Sequence, residues 1–440
     1  MLYPKTNAAR AVLDLSGVWD FRLSECDPWE SIAVPASYND QKTDRRFRSH
    51  VGLAWYRTKM TIPAFYAGQR RVLRFDAVTH DAVVWLDGRE LCRHRGGFLP
   101  FEVDVTEQTT PGQTHELLIR VDNRISHSTL PVGNEGGVAF FGSDNAGIPS
   151  VEAGKRLQQE KGINLPNFDF FNYAGVTRPV RLYTTPMNYI DSAAIDADMH
   201  GTLRYSVCTV GEGCVSIEIL DADGHIVACG EGADGILSLA NPQLWEAYPG
   251  TPYLYTARIR FGGDLYEQHF GFRSIEIKGH QILLNGKPIR FRGVNRHDSD
   301  PVTGFTISID QMKKDLKLMK QHNVNAVRTS HYPNSPIFYQ LCDEYGFVVW
   351  AEIPYISEHM PNGRANTISQ MKELVIQNYN HPSICVWGLS NEITISTKDK
   401  KDMMDNHRVL NDLVHELDPS RPTTLACYSV CGPFNPVAHK

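Results

Sequence analysis

No apolar run in this sequence approaches the roughly 18–20 residues that a membrane-spanning helix requires, so no membrane partner is expected. The opening residues, MLYPKTNAARAV, lack the apolar centre of a secretory signal. Basic excess is missing as well: 44 Lys and Arg stand against 50 Asp and Glu, a formal net charge of −6. Nucleic-acid binders carry a basic excess, so nucleic acid is not an expected partner. Two short basic stretches, Arg45 to Arg48 and Lys398 to Lys401, read as solvated surface. The nine cysteines are odd in number, scattered from Cys26 to Cys431, and form no CxxC pair with metal spacing. Reduced, mostly buried thiols in a cytoplasmic protein are expected.

What is present is a chain of 440 residues, too long for one core. Residues 1–185 are β-rich and nearly devoid of helical periodicity. Val83-Val84-Trp85-Leu86 followed by Asp87-Gly88 signals a hairpin, and the whole pattern predicts a β-sandwich. Within it, the stretch from about 131 to 165 is polar and Gly-rich, a long functional loop or a flexible segment. Residues 186–274 predict a smaller sandwich of immunoglobulin type, with Val215 to Leu220 alternating and Asp221 to Gly224 turning.

From residue 275 to residue 440 strands and helices alternate. Short apolar runs near 290–294, 325–329, 347–352, 384–389 and 423–427 predict strands. Ser308 with Gln311, and Thr367 with Gln370, predict capped helix starts. This grammar implies a parallel sheet or an eight-stranded (β/α) barrel of which the chain holds about five strands.

Such barrels keep their chemistry at the C-terminal ends of the strands. Asn391-Glu392 ends the apolar run Ile384 to Ser390, which puts an amide and a carboxylate at that mouth. Two readings fit Glu392: a proton donor whose pKa is raised by Trp387 and apolar neighbours, or a cap on the following helix. Arg328 and His331 end another strand. His331 suits a sugar hydroxyl and Arg328 a neighbouring carboxylate, and both also suit structural strand-end groups. Arg296 and His297 form a similar cluster after the first strand, and Glu352 lies at the end of the third. Trp350, Tyr355 and Trp387 fit either a pyranose face or a core.

Three segments, GVNRHDSDPVTG (293–304), NAVRTSHYPNSPIFYQLCDEYGF (325–347) and NHPSICVWGLSNE (380–392), resemble the barrel motifs of glycoside hydrolase family 2, the β-galactosidases and β-glucuronidases. The likeness spans nearly all of the chain. It implies a jelly-roll sandwich, an immunoglobulin-like sandwich and a TIM barrel, in that order. It also implies a retaining exo-β-glycosidase with a carbohydrate substrate, Glu392 as acid/base, Asn391 on the sugar 2-hydroxyl and His331 on substrate. Asp169, in FDFFNYAGVTRPV (168–180), matches an aspartate that the first domain sends into the sugar pocket.

The resemblance divides on the sugar. VPASYNDQ (34–41), LRFDAVTH (73–80) and GGFLPFEVDVT (96–106) resemble β-glucuronidases, whereas the barrel motifs look more like β-galactosidases. Because sugar choice is made at the barrel mouth, a β-galactoside is expected, with a glucuronide or galacturonide as the alternative. A non-catalytic carbohydrate-binding protein is the reading of another class. No cofactor is expected: large β-galactosidases hold magnesium through a Glu-x-His pair, and here Ile356 and Glu358 occupy the matching positions. The family's nucleophile belongs to the seventh barrel strand. The 440 residues by themselves are therefore expected to be inactive, with a homo-oligomer or a complementing C-terminal fragment as partner.

Overall fold

The computed structural model describes residues 1–126, 128–132, 170–394, 397 and 399–427. Asp169, Cys431 and almost all of the Gly-rich stretch from 131 to 165 lie outside the described residues.

The first unit packs a six-stranded antiparallel sheet on a four-stranded one. In Thr114–Asp122 of the larger sheet, Leu117, Ile119 and Val121 turn inward against Phe21, Tyr56 and Val84 while Glu116 and Arg120 face out. The hairpin expected at Asp87-Gly88 joins Asp81–Leu86 to Arg89–Arg95, and both turn residues have left-handed backbones. The basic stretch forms a short helix, Arg45–Ser49, with Phe47 buried and Arg48 lying over the Phe171 ring. A second sandwich of three plus four strands follows, around Ile217, Ile259, Tyr266 and Phe270. The thiol expectation needs correction: Cys26, Cys208, Cys214 and Cys229 are exposed, and only Cys342 and Cys385 are buried among the described cysteines.

The third unit is a parallel five-stranded sheet with strand order following the chain: β1 (Gly293–Arg296), β2 (Ala326–Thr329), β3 (Val348–Glu352), β4 (Ile384–Asn391) and β5 (Thr423–Ala426). Between strands lie α1 (Ile309–Gln321), α2 (Pro336–Tyr345), α3 (Arg364–Asn378) and α4 (Lys400–Leu417). Ser308 caps α1 as expected, its hydroxyl accepting from the Gln311 N–H at 3.1 Å. Thr367 does not cap α3. The helix begins three residues earlier, and the Thr367 hydroxyl donates back to the Arg364 carbonyl. Alternate residues of the strands face two different layers. Val349, Ala351, Trp387 and Leu389 pack on the helices, while Ala326, Val348 and Val386 pack against Trp245, Ile275 and Leu284 from the second unit and the hairpin at the barrel's base.

Polar side chains hold the units together. Arg273 of the second sandwich donates to the carbonyls of Pro382 and Ile384, and the Trp245 indole donates to the Asp343 carbonyl. Arg178 of the first sandwich reaches Phe98 and Pro333 carbonyls and the Asp298 carboxylate, which also takes Arg296 at 2.8 Å. An aromatic cluster of Phe98, Phe170, Tyr173, Phe305 and Tyr332 fills the same junction, Phe98 stacking on Tyr332 at 4.3 Å.

Asp298 is 1% exposed, so burial alone would raise its pKa, but Arg296 and Arg178 hold it below the ordinary carboxylate range. A depressed folded-state pKa contributes stability above the ordinary carboxylate pKa, and that contribution is lost as the pH falls through it. Asp298→Ala strips the partner from two buried guanidiniums. It is expected to cost about 3–5 kcal/mol, read as a lower urea midpoint at pH 7, with the gap to wild type narrowing below about pH 4.

Candidate active site

Three inward side chains meet at the C-terminal ends of β2, β3 and β4. Arg328 donates through Nε and Nη2 to one oxygen of Glu352, at 3.0 and 2.9 Å, and through Nη2 to Asn391 Oδ1 at 2.8 Å. His331 Nδ1 lies 2.6 Å from the other Glu352 oxygen. Glu352 has no exposed surface, and its charge is matched by the guanidinium and the imidazole N–H. An ionised carboxylate only accepts, so the Nδ1 proton of His331 points at Glu352 and the ring is held in one orientation.

Asn391 reaches this cluster because β4 is irregular. In a regular strand Asn391 would share a face with Trp387 and Leu389, on the helix side. The pairing of β4 with β5 shifts between Gly388 and Asn391. Ser390 therefore turns to the helices, bonding His407 at 2.8 Å, and Asn391 turns inward. The Asn391 backbone is then clasped, its N–H donating to the Tyr355 carbonyl at 2.8 Å and its carbonyl accepting from Ser357 at 3.0 Å. Glu392, half-buried, has φ of 52°, a left-handed conformation uncommon for a side chain of this kind, and its N–H donates to the Ala426 carbonyl at 2.9 Å.

His297, half-buried, stands edge-on to His331 with ring centroids 5.8 Å apart, and 5.7 Å from Phe170. It completes the group that the structure brings together: Arg328, His331, Glu352, Asn391 and His297, with Glu392 next along the chain.

Other expected residues serve elsewhere. Arg296 turns to the helix layer, bonding Asp315 of α1 at 3.0 Å, Asn334 and Asp298, and lying over the Phe338 ring. Trp387 is fully buried with its indole N–H on Asp418, so it does not desolvate Glu392 as anticipated. Tyr355 is buried with its hydroxyl turned towards α4. Trp350 lies inside the barrel beneath Arg328, whose guanidinium carbon is 4.3 Å above the ring, and forms a floor instead of a sugar platform. A side chain at Gly388 would put its Cβ 2.2 Å from the Trp350 indole nitrogen, so this close approach requires glycine. That glycine in mid-strand was the available sign of the irregularity in β4. The clasp by Tyr355 and Ser357 is made by backbone atoms and leaves no side-chain pattern to read.

Family models match the chain in three consecutive pieces: the glycosyl hydrolases family 2 sugar binding domain over residues 7–186, glycosyl hydrolases family 2 over 188–273, and its TIM barrel domain over 275–435. A β-glucuronidase of Paenibacillus borealis is 34% identical over 97% of this chain and 74% of its own length. The human β-glucuronidase is 32% identical over 98% of this chain and 70% of its own. Among solved structures, a Faecalibacterium prausnitzii β-glucuronidase superposes with a TM-score of 0.89 at 46% identity, covering 97% of this chain and 75% of that one. These relatives overturn the β-galactoside expectation. The barrel motifs behind it prove to carry packing: Asp298 binds both Arg296 and Arg178, Asn334 holds Arg296, and Tyr332 fills the aromatic junction. A sandwich pair, a parallel (β/α) unit and three consecutive family matches establish that this chain belongs to glycoside hydrolase family 2.

Proposed function

We propose that the protein hydrolyses terminal β-glucuronides with retention of configuration, Glu392 acting as acid and then as base. The observation that carries this reading is the irregular end of β4, which turns Asn391 into the cluster and sets Glu392 beside it in a strained backbone conformation. The 46% identity to a β-glucuronidase over 97% of the chain supports the sugar.

Each side chain then has a task. Arg328 can only donate, so it fixes Asn391 with Oδ1 towards the guanidinium and presents the amide NH₂ to the sugar 2-hydroxyl. His331, oriented by Glu352, offers its ring to a second hydroxyl. Glu392 protonates the glycosidic oxygen as the bond to the anomeric carbon breaks, and later takes a proton from the attacking water. Glu352 positions Arg328 and His331. Both its oxygens are engaged with these two side chains, and we read it as a pocket residue and not as the nucleophile, which retaining chemistry sets about 5–5.5 Å from the acid/base carboxyl. Asp169 remains part of the proposal as a sugar ligand from the first domain. A homo-oligomer or complementing C-terminal fragment, and a cytoplasmic setting, rest on the sequence reading.

The test is a panel of nitrophenyl β-D-glycosides assayed on the purified native protein. The glucuronide is expected to give the highest kcat/KM, and Glu392→Gln to lower kcat/KM on the phenyl glycoside by roughly 10²–10⁴-fold. Preference for the galactoside, or full activity in Glu392→Gln, contradicts the proposal.

A further inference from the structure

A second polar cluster lies between the Asn391 clasp and helix α4. The Tyr355 hydroxyl hydrogen-bonds His359 Nδ1, and His359 Nε2 lies 2.6 Å from Asp402 Oδ2. Arg364 holds the other Asp402 oxygen at 2.6 Å, and Asn406 donates to the Tyr355 hydroxyl at 3.3 Å. His359 is 4% exposed, Tyr355 1% and Asn406 0%, so this part of the chain of bonds is shielded from water, while Asp402 and Arg364 at its outer end are partly exposed.

Asp402 accepts from His359 Nε2–H, and Nδ1 of the same ring bonds the Tyr355 hydroxyl, whose oxygen accepts from Asn406. Asp402 is held below the ordinary carboxylate range, first by the His359 hydrogen bond and then by Arg364, so it is an acceptor at neutral pH.

Both ends of this cluster touch the segment that carries Glu392. Tyr355 supplies the carbonyl that receives the Asn391 N–H, and Ser357, left-handed with φ of 68°, supplies the N–H that Asn391 receives in return. On the other side, the backbone N–H of His359 donates to the Thr397 hydroxyl at 2.8 Å, and that hydroxyl donates to the Ile393 carbonyl, one residue past Glu392. Strained residues such as Ser357 and Glu392 persist only where their surroundings over-determine them. His359 reaches both flanks, its ring through the Tyr355 hydroxyl and its backbone N–H through Thr397.

We propose that His359 is a positioning residue for the acid/base: with Asp402 behind it, it fixes the backbone on each side of Asn391-Glu392 and so sets the reach of the Glu392 carboxyl to the glycosidic oxygen. The inference rests on the reading of Glu392 as proton donor. A shift of about 1 Å in a catalytic group costs on the order of 10²-fold in rate. The loss should fall where proton donation matters, on poor leaving groups, and spare substrates whose leaving group departs unaided.

The experiment measures kcat/KM for aryl glycosides of whichever sugar the native protein turns over, from phenyl to 2,4-dinitrophenyl. Four proteins are compared: wild type, His359→Ala, Tyr355→Phe and Glu392→Gln. His359→Ala is expected to lose roughly 30–100-fold on the phenyl glycoside and less than about fivefold on the dinitrophenyl glycoside, with KM little changed. Tyr355→Phe, which keeps the ring and drops the hydroxyl's bonds to His359 and Asn406, should move the same way by less. Should His359→Ala fail to fold, Tyr355→Phe carries the test. A loss equal across leaving groups, or none, in these variants overturns the inference while a steep dependence in Glu392→Gln leaves the acid/base reading standing. A flat response in Glu392→Gln overturns the acid/base reading itself.

Discussion

The forked contact of Arg328 with Glu352 and Asn391 is the constraint on which the barrel mouth depends. One guanidinium joins the ends of three strands, and each partner is positioned by that contact. Glu352, with no exposed surface, would be an uncompensated buried charge without it. Asn391 would lose the donor that sets its amide, and His331 would lose the ionised acceptor that sets its ring. A planar, always-charged fork suits this task, whereas a single ammonium does not reproduce it. Beneath it the Trp350 ring supports the guanidinium, and Gly388 gives that ring its space.

The two sandwiches contribute to the site through the way they are fastened. The second sandwich and the small hairpin close the base of the parallel sheet with Trp245, Ile275 and Leu284. The first sandwich reaches the mouth, where Phe98 and Phe170 pack on Tyr332, the residue after His331, and Arg178 ties the same loop through the Pro333 carbonyl. The histidine loop is therefore gripped from the barrel side by Glu352 and from the sandwich side by this junction.

Much of this was legible in the residues, for physical reasons. Near-absence of helical periodicity and the Asp87-Gly88 turn announced the first sandwich, and the change to strand–helix alternation after residue 275 announced the parallel sheet with its five strands. Ser308 was readable as a cap because its hydroxyl has one local task, while Thr367 misled because the same hydroxyl also bonds backwards inside a helix. Arg328, His331, Glu352 and Asn391 were picked out as strand-end polar groups, and they meet. Arg296, Trp387 and Tyr355 lie on or just past the same strands yet face the helices, because a two-residue period gives no inside and outside until the register is fixed. The sugar was misjudged for a related cause. Motif letters in 293–304 and 331–336 look like chemistry, but Arg296, Asp298 and Asn334 are bonded together, and Asp298 and Tyr332 meet the first sandwich. What sequence pattern carries least is backbone-to-backbone clasping, such as the hold of Tyr355 and Ser357 on Asn391.

The most direct measurement is kcat/KM of Arg328→Lys against wild type on the best substrate, with thermal midpoints recorded alongside. Lysine keeps the charge beside Glu352 but lacks the fork that reaches Asn391. The account predicts a fall of at least about 100-fold with both proteins folded at the assay temperature. Activity within a few-fold of wild type would contradict it, since Asn391 and Glu392 would then hold their places without the guanidinium.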